Sequence, residues 1–175
     1  MSLLADVAHL LERSSVEHAL IGAAGMAVHG VSRATADIDL LTVDTRVLDR
    51  AFWTELAGIG PRIALGDAED PLAGTVRLGD EADLIDVVVG KAAWQAEAIR
   101  GAESRSIGEI TVPVARPASL VLLKLFAGGP KDAWDIQSLL EVSTDVPALV
   151  REVERSLSQL PADAQRLWDR IRGGV

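Results

Sequence analysis

Residues 32–41 read SRATADIDLL, and the last five of them decide the fold. Asp37 and Asp39 stand two positions apart at the mouth of an apolar run. In a strand, side chains alternate between faces, so the two aspartates point one way while Ile38 and Leu40 point the other. Two neighbouring carboxylates repel, and a partly buried pair is costly without compensation. The compensating group is an Arg or Lys, a shared proton or a divalent metal.

Composition narrows the function classes. The chain has 175 residues and is 49% apolar, which suits one folded domain with a real core and excludes disorder. A net charge of −9 argues against a general nucleic-acid coat and is compatible with a carboxylate metal site. No cysteine is present, which excludes disulfides, zinc–thiolate sites and thiol nucleophiles. The opening MSLLADVAHLLERS carries Asp6 and Glu12, which reads against a signal peptide, and no apolar run reaches membrane-spanning length. The expected setting is cytoplasmic, with no membrane partner. Of the three lysines, two (Lys124 and Lys131) fall within LKLFAGGPKD.

Outward from the Asp-x-Asp strand, the pattern predicts an α+β core over residues 1–115 and a helical C-terminal part over 116–175, packed together as one unit. Leu3, Leu4, Val7, Leu10 and Leu11 form a helical stripe. EHALIG (17–22) reads as a short strand, AAGMAVHG (23–30) as a helix, and residues 45–58 as a further helix. PRIALG (61–66) is a strand, and residues 74–90 form a hairpin that turns at GDEA. Residues 92–104 are helical, and the stretch from 105 is β-like up to Pro113. From residue 117 four helical segments follow, each opened by or just after a proline. Trp53, Trp94, Trp134 and Trp168 fall in separate helical segments and are expected to be packing anchors.

The hairpin supplies a third carboxylate, Asp86 in ADLIDVVVG, with Asp83 as its substitute. Aspartate is a poor strand former, so Asp86 either pairs with Arg77 across the hairpin or joins Asp37 and Asp39 around a hard cation. Before the Asp-x-Asp strand, Gly22 stands between a strand and a helix. There small residues let backbone N–H groups approach a phosphate, or simply permit tight helix-on-sheet packing.

The set LIGA, a thirteen-residue spacer and DIDL resembles the signature of the nucleotidyltransferase superfamily. More closely, residues 18–140 are similar to minimal nucleotidyltransferases related to the toxins of bacterial abortive-infection toxin–antitoxin systems. The resemblance implies a nucleotidyltransferase-like mixed β-sheet core flanked by helices. It implies Mg²⁺ or Mn²⁺ held by Asp37, Asp39 and Asp86, with an NTP as substrate. Gly22 and the Ala23 amide would touch its phosphates, and Arg33 and Thr35 would face the same site. Ala23 departs from the usual Gly or Ser of the superfamily, so a serine hydroxyl contact to phosphate is lost. The implied reaction moves an NMP to a hydroxyl on RNA (tRNA) or protein, with a cognate antitoxin as a further partner.

Lys124, embedded in VLLKLF, must reach a polar partner or snorkel to water. In the resembled family Lys124 and Lys131 line the cleft from the helical side, oriented by Asp132 or Asp135. A plain surface pair of Lys131 with Asp135 is the competing reading. Lys124→Met is expected to keep packing and stability while cutting transfer. Two rival functions are a catalytically silent nucleotide-binding or antitoxin-type partner, favoured by Ala23, and a glycosyltransferase using its DxD. The second fits poorly, because the chain is short and a glycine turn precedes the DxD.

Overall fold

The computed structural model describes residues 2–32, 37–56, 58–80 and 83–173. They divide into two compact units, one of residues 1–25 and 33–115, the other of 26–32 and 116–175.

The first unit is built on a seven-stranded mixed sheet. Its strands are β1 (His18–Ile21), β2 (Asp37–Thr42), β3 (Arg62–Leu65), β4 (Leu72–Gly79), β5 (Leu84–Gly90), β6 (Glu103–Ile107) and β7 (Ile110–Val114), in the order β3-β4-β5-β2-β1-β7-β6. The β4–β5 hairpin is antiparallel, β5 runs parallel to β2, and β2 pairs antiparallel with β1. One face of the central strands is apolar by strict alternation. Leu40, Val76, Leu78, Ile85, Val87 and Val89 are all fully buried there, each contributing about 1.5–3 kcal/mol by leaving water. The opposite face carries Asp39, Asp86 and Arg77 in one register row. The same alternation that fills the core therefore lines up the charges.

Helix α1 (Leu3–Arg13) starts at Ser2, whose hydroxyl accepts from the Ala5 amide, and it buries Leu3, Leu4, Val7, Leu10 and Leu11. Helix α2 (Gly22–Val28) begins at the residue after β1, and α3 (Ala93–Arg100) packs on β1 and β2. The Gln95 side-chain oxygen holds the entry to α3 by accepting from the Lys91 and Ala92 amides.

The long helix expected over 45–58 does not form. Two 3₁₀ turns stand there, Thr45–Leu48 and Arg50–Trp53. Asp49 is the reason: its backbone is extended, and its carboxylate accepts from the Ala51 amide, which restarts the chain one residue later. Asp44 does the same at the first turn. The helix expected over 92–104 likewise ends at Arg100, and β6 begins at Glu103.

The second unit holds α4 (Pro117–Ala127), α5 (Asp132–Val142), α6 (Val146–Leu157) and α7 (Ala162–Gly173). Proline sits in the first turn of α4 and of α6, where the missing N–H costs nothing. Gly128 closes α4 in the left-handed conformation, φ 64°. Helix α4 packs on the other three around Leu125, Ile136, Leu139, Val153 and Trp168. Trp53, Trp94 and Trp168 are buried anchors as expected, but Trp134 is not: it is half-exposed on the outer face of α5. The inner positions of that helix are taken by Asp132, Asp135, Ile136 and Leu139. Among the described residues no helix is long and apolar enough to cross a membrane.

Candidate active site

Strand β2 presents Asp37 and Asp39 on one face, as the alternation requires. Asp39 stands in register with Asp86 on the parallel neighbour β5, and Asp86 with Arg77 on β4. On the other side Asp39 is opposite Ile21, so the chain turns into α2 at Gly22 beside the Asp39 carboxylate. Gly22 has φ 63°, and a Cβ built on it would fall 1.9 Å from Asp39 Oδ2. No side chain fits that position, which makes the glycine a requirement of the aspartate.

The three carboxylates meet a cation of the protein's own. Arg77 donates from Nε to Asp86 Oδ1 and from Nη2 to Asp86 Oδ2, both at 2.7 Å, a bidentate pair. The hydrogen bonds to Asp86, then the Asp86 charge, and at longer range Asp37 and Asp39, push the Arg77 guanidinium above its ordinary pKa. Pairing of Asp86 with Arg77, one of the two readings of the sequence, is thus realised. It leaves Asp86 in the row with Asp39. Asp83 lies apart from this row, with its carboxylate accepting from the Leu3 amide at 3.4 Å.

A groove of about 470 Å³ opens on this face, lined by Asp39, Asp86, Arg62, Arg77, Thr75 and Val88 among others. One half is acidic and the other basic. Arg62 is a residue that sequence reasoning passed over, and the β3–β4 register puts it opposite Arg77. The donor chemistry of Asp37 and Asp39 suits a hard cation, and the missing Cβ of Gly22 lets the Asp39 carboxylate pack directly against the turn. Among the described residues, no three His, Cys, Asp or Glu side chains close into a metal-holding cluster, and both oxygens of Asp86 are engaged by Arg77. Asp37 and Asp39 carry the oxygen donors that a hard cation takes, and Asp86 could join them only by exchanging its arginine. Arg33 and Thr35 lie outside the described residues.

In the helical unit Lys124 finds its polar partners on α5. Its ammonium lies 3.0 Å from Asp132 Oδ1 and 2.6 Å from Asp135 Oδ2. The Asp132 carboxylate also accepts from the Gly129 amide at 2.6 Å. Burial acts to lower the Lys124 pKa, but hydrogen bonds to Asp135 and Asp132 together with their charges outweigh it and leave it raised. Asp135 is fully buried against Lys124, so the reading of it as a helix-surface group beside Lys131 is corrected. Lys131 is exposed at the N-cap of α5. The expectation that Lys124→Met preserves stability is corrected with it, because the ammonium compensates two buried carboxylates.

No protein-family model matches the sequence, and no curated protein matches it. Solved structures do match in shape. The crystal structure of ANT(2'')-Ia in complex with adenylyl-2''-tobramycin superposes with a TM-score of 0.59 at 14% identity, covering 90% of this chain and 96% of that one. The lincosamide antibiotic adenylyltransferase LnuA, lincomycin-bound, gives 0.51 at 15% identity, over 80% of this chain and 96% of that one. A Thermotoga maritima protein described as a nucleotidyltransferase gives 0.57 at 13% identity, over 81% and 92%. At such identities the likeness is one of fold: this chain is an α+β protein with the mixed sheet and C-terminal helices of nucleotidyltransferase-like folds.

Proposed function

We propose that the protein is a metal-dependent nucleotidyltransferase that moves an NMP from an NTP to a hydroxyl and releases pyrophosphate. The observation that carries the reading is the row of Asp39 and Asp86 across β2 and β5, with Asp37 on the same face and the Gly22 turn against Asp39. Asp37 and Asp39 would hold Mg²⁺ or Mn²⁺, joined by Asp86. When bound, the cation supplies charge neutralisation at the phosphates and acidifies the attacking hydroxyl. Asp86 would accept the proton of that hydroxyl as its oxygen bonds to the α-phosphorus and the bond from that phosphorus to the bridging oxygen of the leaving pyrophosphate breaks. Gly22 and the Ala23 amide, with Arg33 and Thr35 as the resemblance implies, are the proposed phosphate contacts.

Two acceptor classes follow from different observations. The sequence resemblance points to RNA, such as tRNA, or protein, in the setting of a toxin restrained by a cognate antitoxin. Superposition on two antibiotic adenylyltransferases over most of the chain favours a hydroxyl on a small molecule. The net charge of −9 favours the second class over RNA.

An NTP panel labelled at the α-phosphate, with Mg²⁺ or Mn²⁺, tests the reading against tRNA, whole-cell protein, aminoglycosides and lincosamides in separate arms. Label should pass to one acceptor class in the wild type and to none in Asp39→Ala. Binding of NTP without transfer in any arm would favour the silent nucleotide-binding reading. Transfer that persists in Asp39→Ala would overturn the site.

A further inference from the structure

The groove holds more positive charge than a plain carboxylate metal site needs, and the excess is placed in register. Arg62, Arg77, Asp86 and Asp39 follow one another across β3, β4, β5 and β2, two cations and then two anions in a row. The Arg77 fork closes both oxygens of Asp86, and its side chain is about half exposed while that of Asp86 is 18% exposed. A half-exposed guanidinium on a flexible stem can change partner without opening the core. The Asp86 backbone is held in a central strand paired on both sides, which keeps its carboxylate on this face of the sheet.

Resting on the nucleotidyl-transfer reading, we infer that Arg77 is the counter-cation of the nucleotide-free site and passes from Asp86 to a phosphate oxygen when a divalent cation arrives with an NTP. Arg77 is then a positioning residue that couples the two ligands. A divalent ion alone must displace a bidentate guanidinium from Asp86 and leave that guanidinium without a partner. A divalent ion carried by a triphosphate offers the displaced fork an equally good set of oxygens. Metal and nucleotide therefore strengthen each other's binding, reciprocally, and Arg77 carries the coupling. Thr75 and Arg62 line the same groove.

The test is a Mn²⁺ titration followed by the EPR signal of the free ion, on the wild type and Arg77→Met, with and without a non-hydrolysable ATP analogue. Without nucleotide, Arg77→Met should bind Mn²⁺ tighter than the wild type by roughly three- to tenfold, the scale of a competing exposed charge-assisted pair. The analogue should then strengthen Mn²⁺ binding in the wild type and do so much less in Arg77→Met. Should that variant fold poorly, Arg77→Lys keeps the charge but loses the fork, and it too should bind Mn²⁺ alone more tightly than the wild type. Equal or weaker nucleotide-free affinity in both variants, with Mn²⁺ and analogue binding intact in the wild type, overturns the role of Arg77 and leaves the transfer reading standing. Absence of Mn²⁺ binding in every protein, with or without analogue, overturns both.

Discussion

Replacing Lys124 by methionine keeps the length of the side chain and removes one charge, and the structure sets what that removal costs. The Lys124 side chain is 15% exposed, and those of Asp132 and Asp135 are 12% and 0% exposed. Without the ammonium, two carboxylates remain in a poorly solvated layer, facing the same vacated centre and repelling each other. Breaking a buried ion pair from one side costs about 3–5 kcal/mol. The Gly129 amide still serves Asp132, and a little water reaches the site, which brings the expected loss to about 2–4 kcal/mol. For a chain of this size that lowers Tm by roughly 5–15 °C. Calorimetry and urea unfolding at neutral pH measure it directly. Lys124→Met with Asp135→Asn should recover much of the loss, because one of the stranded charges goes with the ammonium. The raised pKa of Lys124 sets the pH dependence. Its contribution is fully present below the unfolded lysine pKa of about 10.4 and fades as pH rises through the higher folded value, so on the alkaline side wild type and variant converge there. A Lys124→Met protein within about 0.5 kcal/mol of the wild type at neutral pH would refute the reasoning, since that is the scatter of an ordinary surface substitution.

Gly22→Ala should destabilise by about 1–3 kcal/mol, because φ is 63° there and the new methyl would occupy the place of Asp39 Oδ2; chemical denaturation reads the cost, and Mn²⁺ titration should show weakened binding. Asp37→Ala with Asp39→Ala should leave the protein folded and abolish the stabilisation that Mn²⁺ with an NTP gives the wild type, about 2.7 kcal/mol at a hundredfold excess over Kd; the Tm shift in differential scanning fluorimetry decides it. Asp145→Ala removes the cap that accepts from the Ala148 amide at 2.9 Å, and should cost about 1 kcal/mol in urea unfolding with no effect on nucleotide binding.

Alternation made the sheet legible. Once Asp37 and Asp39 are taken as strand residues, their common face follows, and the apolar alternates of LIDVVV put Asp86 on the same face. Prolines marked the four C-terminal helices because each stands at or near a helix start, where it fits. The 3₁₀ pair at 45–53 was hidden because its apolar spacing is helical, and only the local hydrogen bonds of Asp44 and Asp49 break it. Within the site, Arg77 was visible as a partner of Asp86, whereas Arg62 becomes a neighbour only through the β3–β4 register. The partners of Lys124 were within reach of helical geometry in kind but not in rank. Asp135, which the sequence offered equally as a surface partner of Lys131, makes the shortest contact to Lys124, because its position on α5 faces α4 and that of Lys131 precedes the helix.

The central claim is that Asp37 and Asp39 bind the cation that accompanies an NTP. A crystal of the wild type grown with Mn²⁺ and a non-hydrolysable NTP analogue, measured at the manganese absorption edge, tests it most directly. The account predicts an anomalous peak about 2 Å from carboxylate oxygens of both Asp37 and Asp39, with phosphate oxygens completing the shell. Nucleotide density in the groove with no manganese on those two aspartates, or manganese bound elsewhere in the chain, would contradict it.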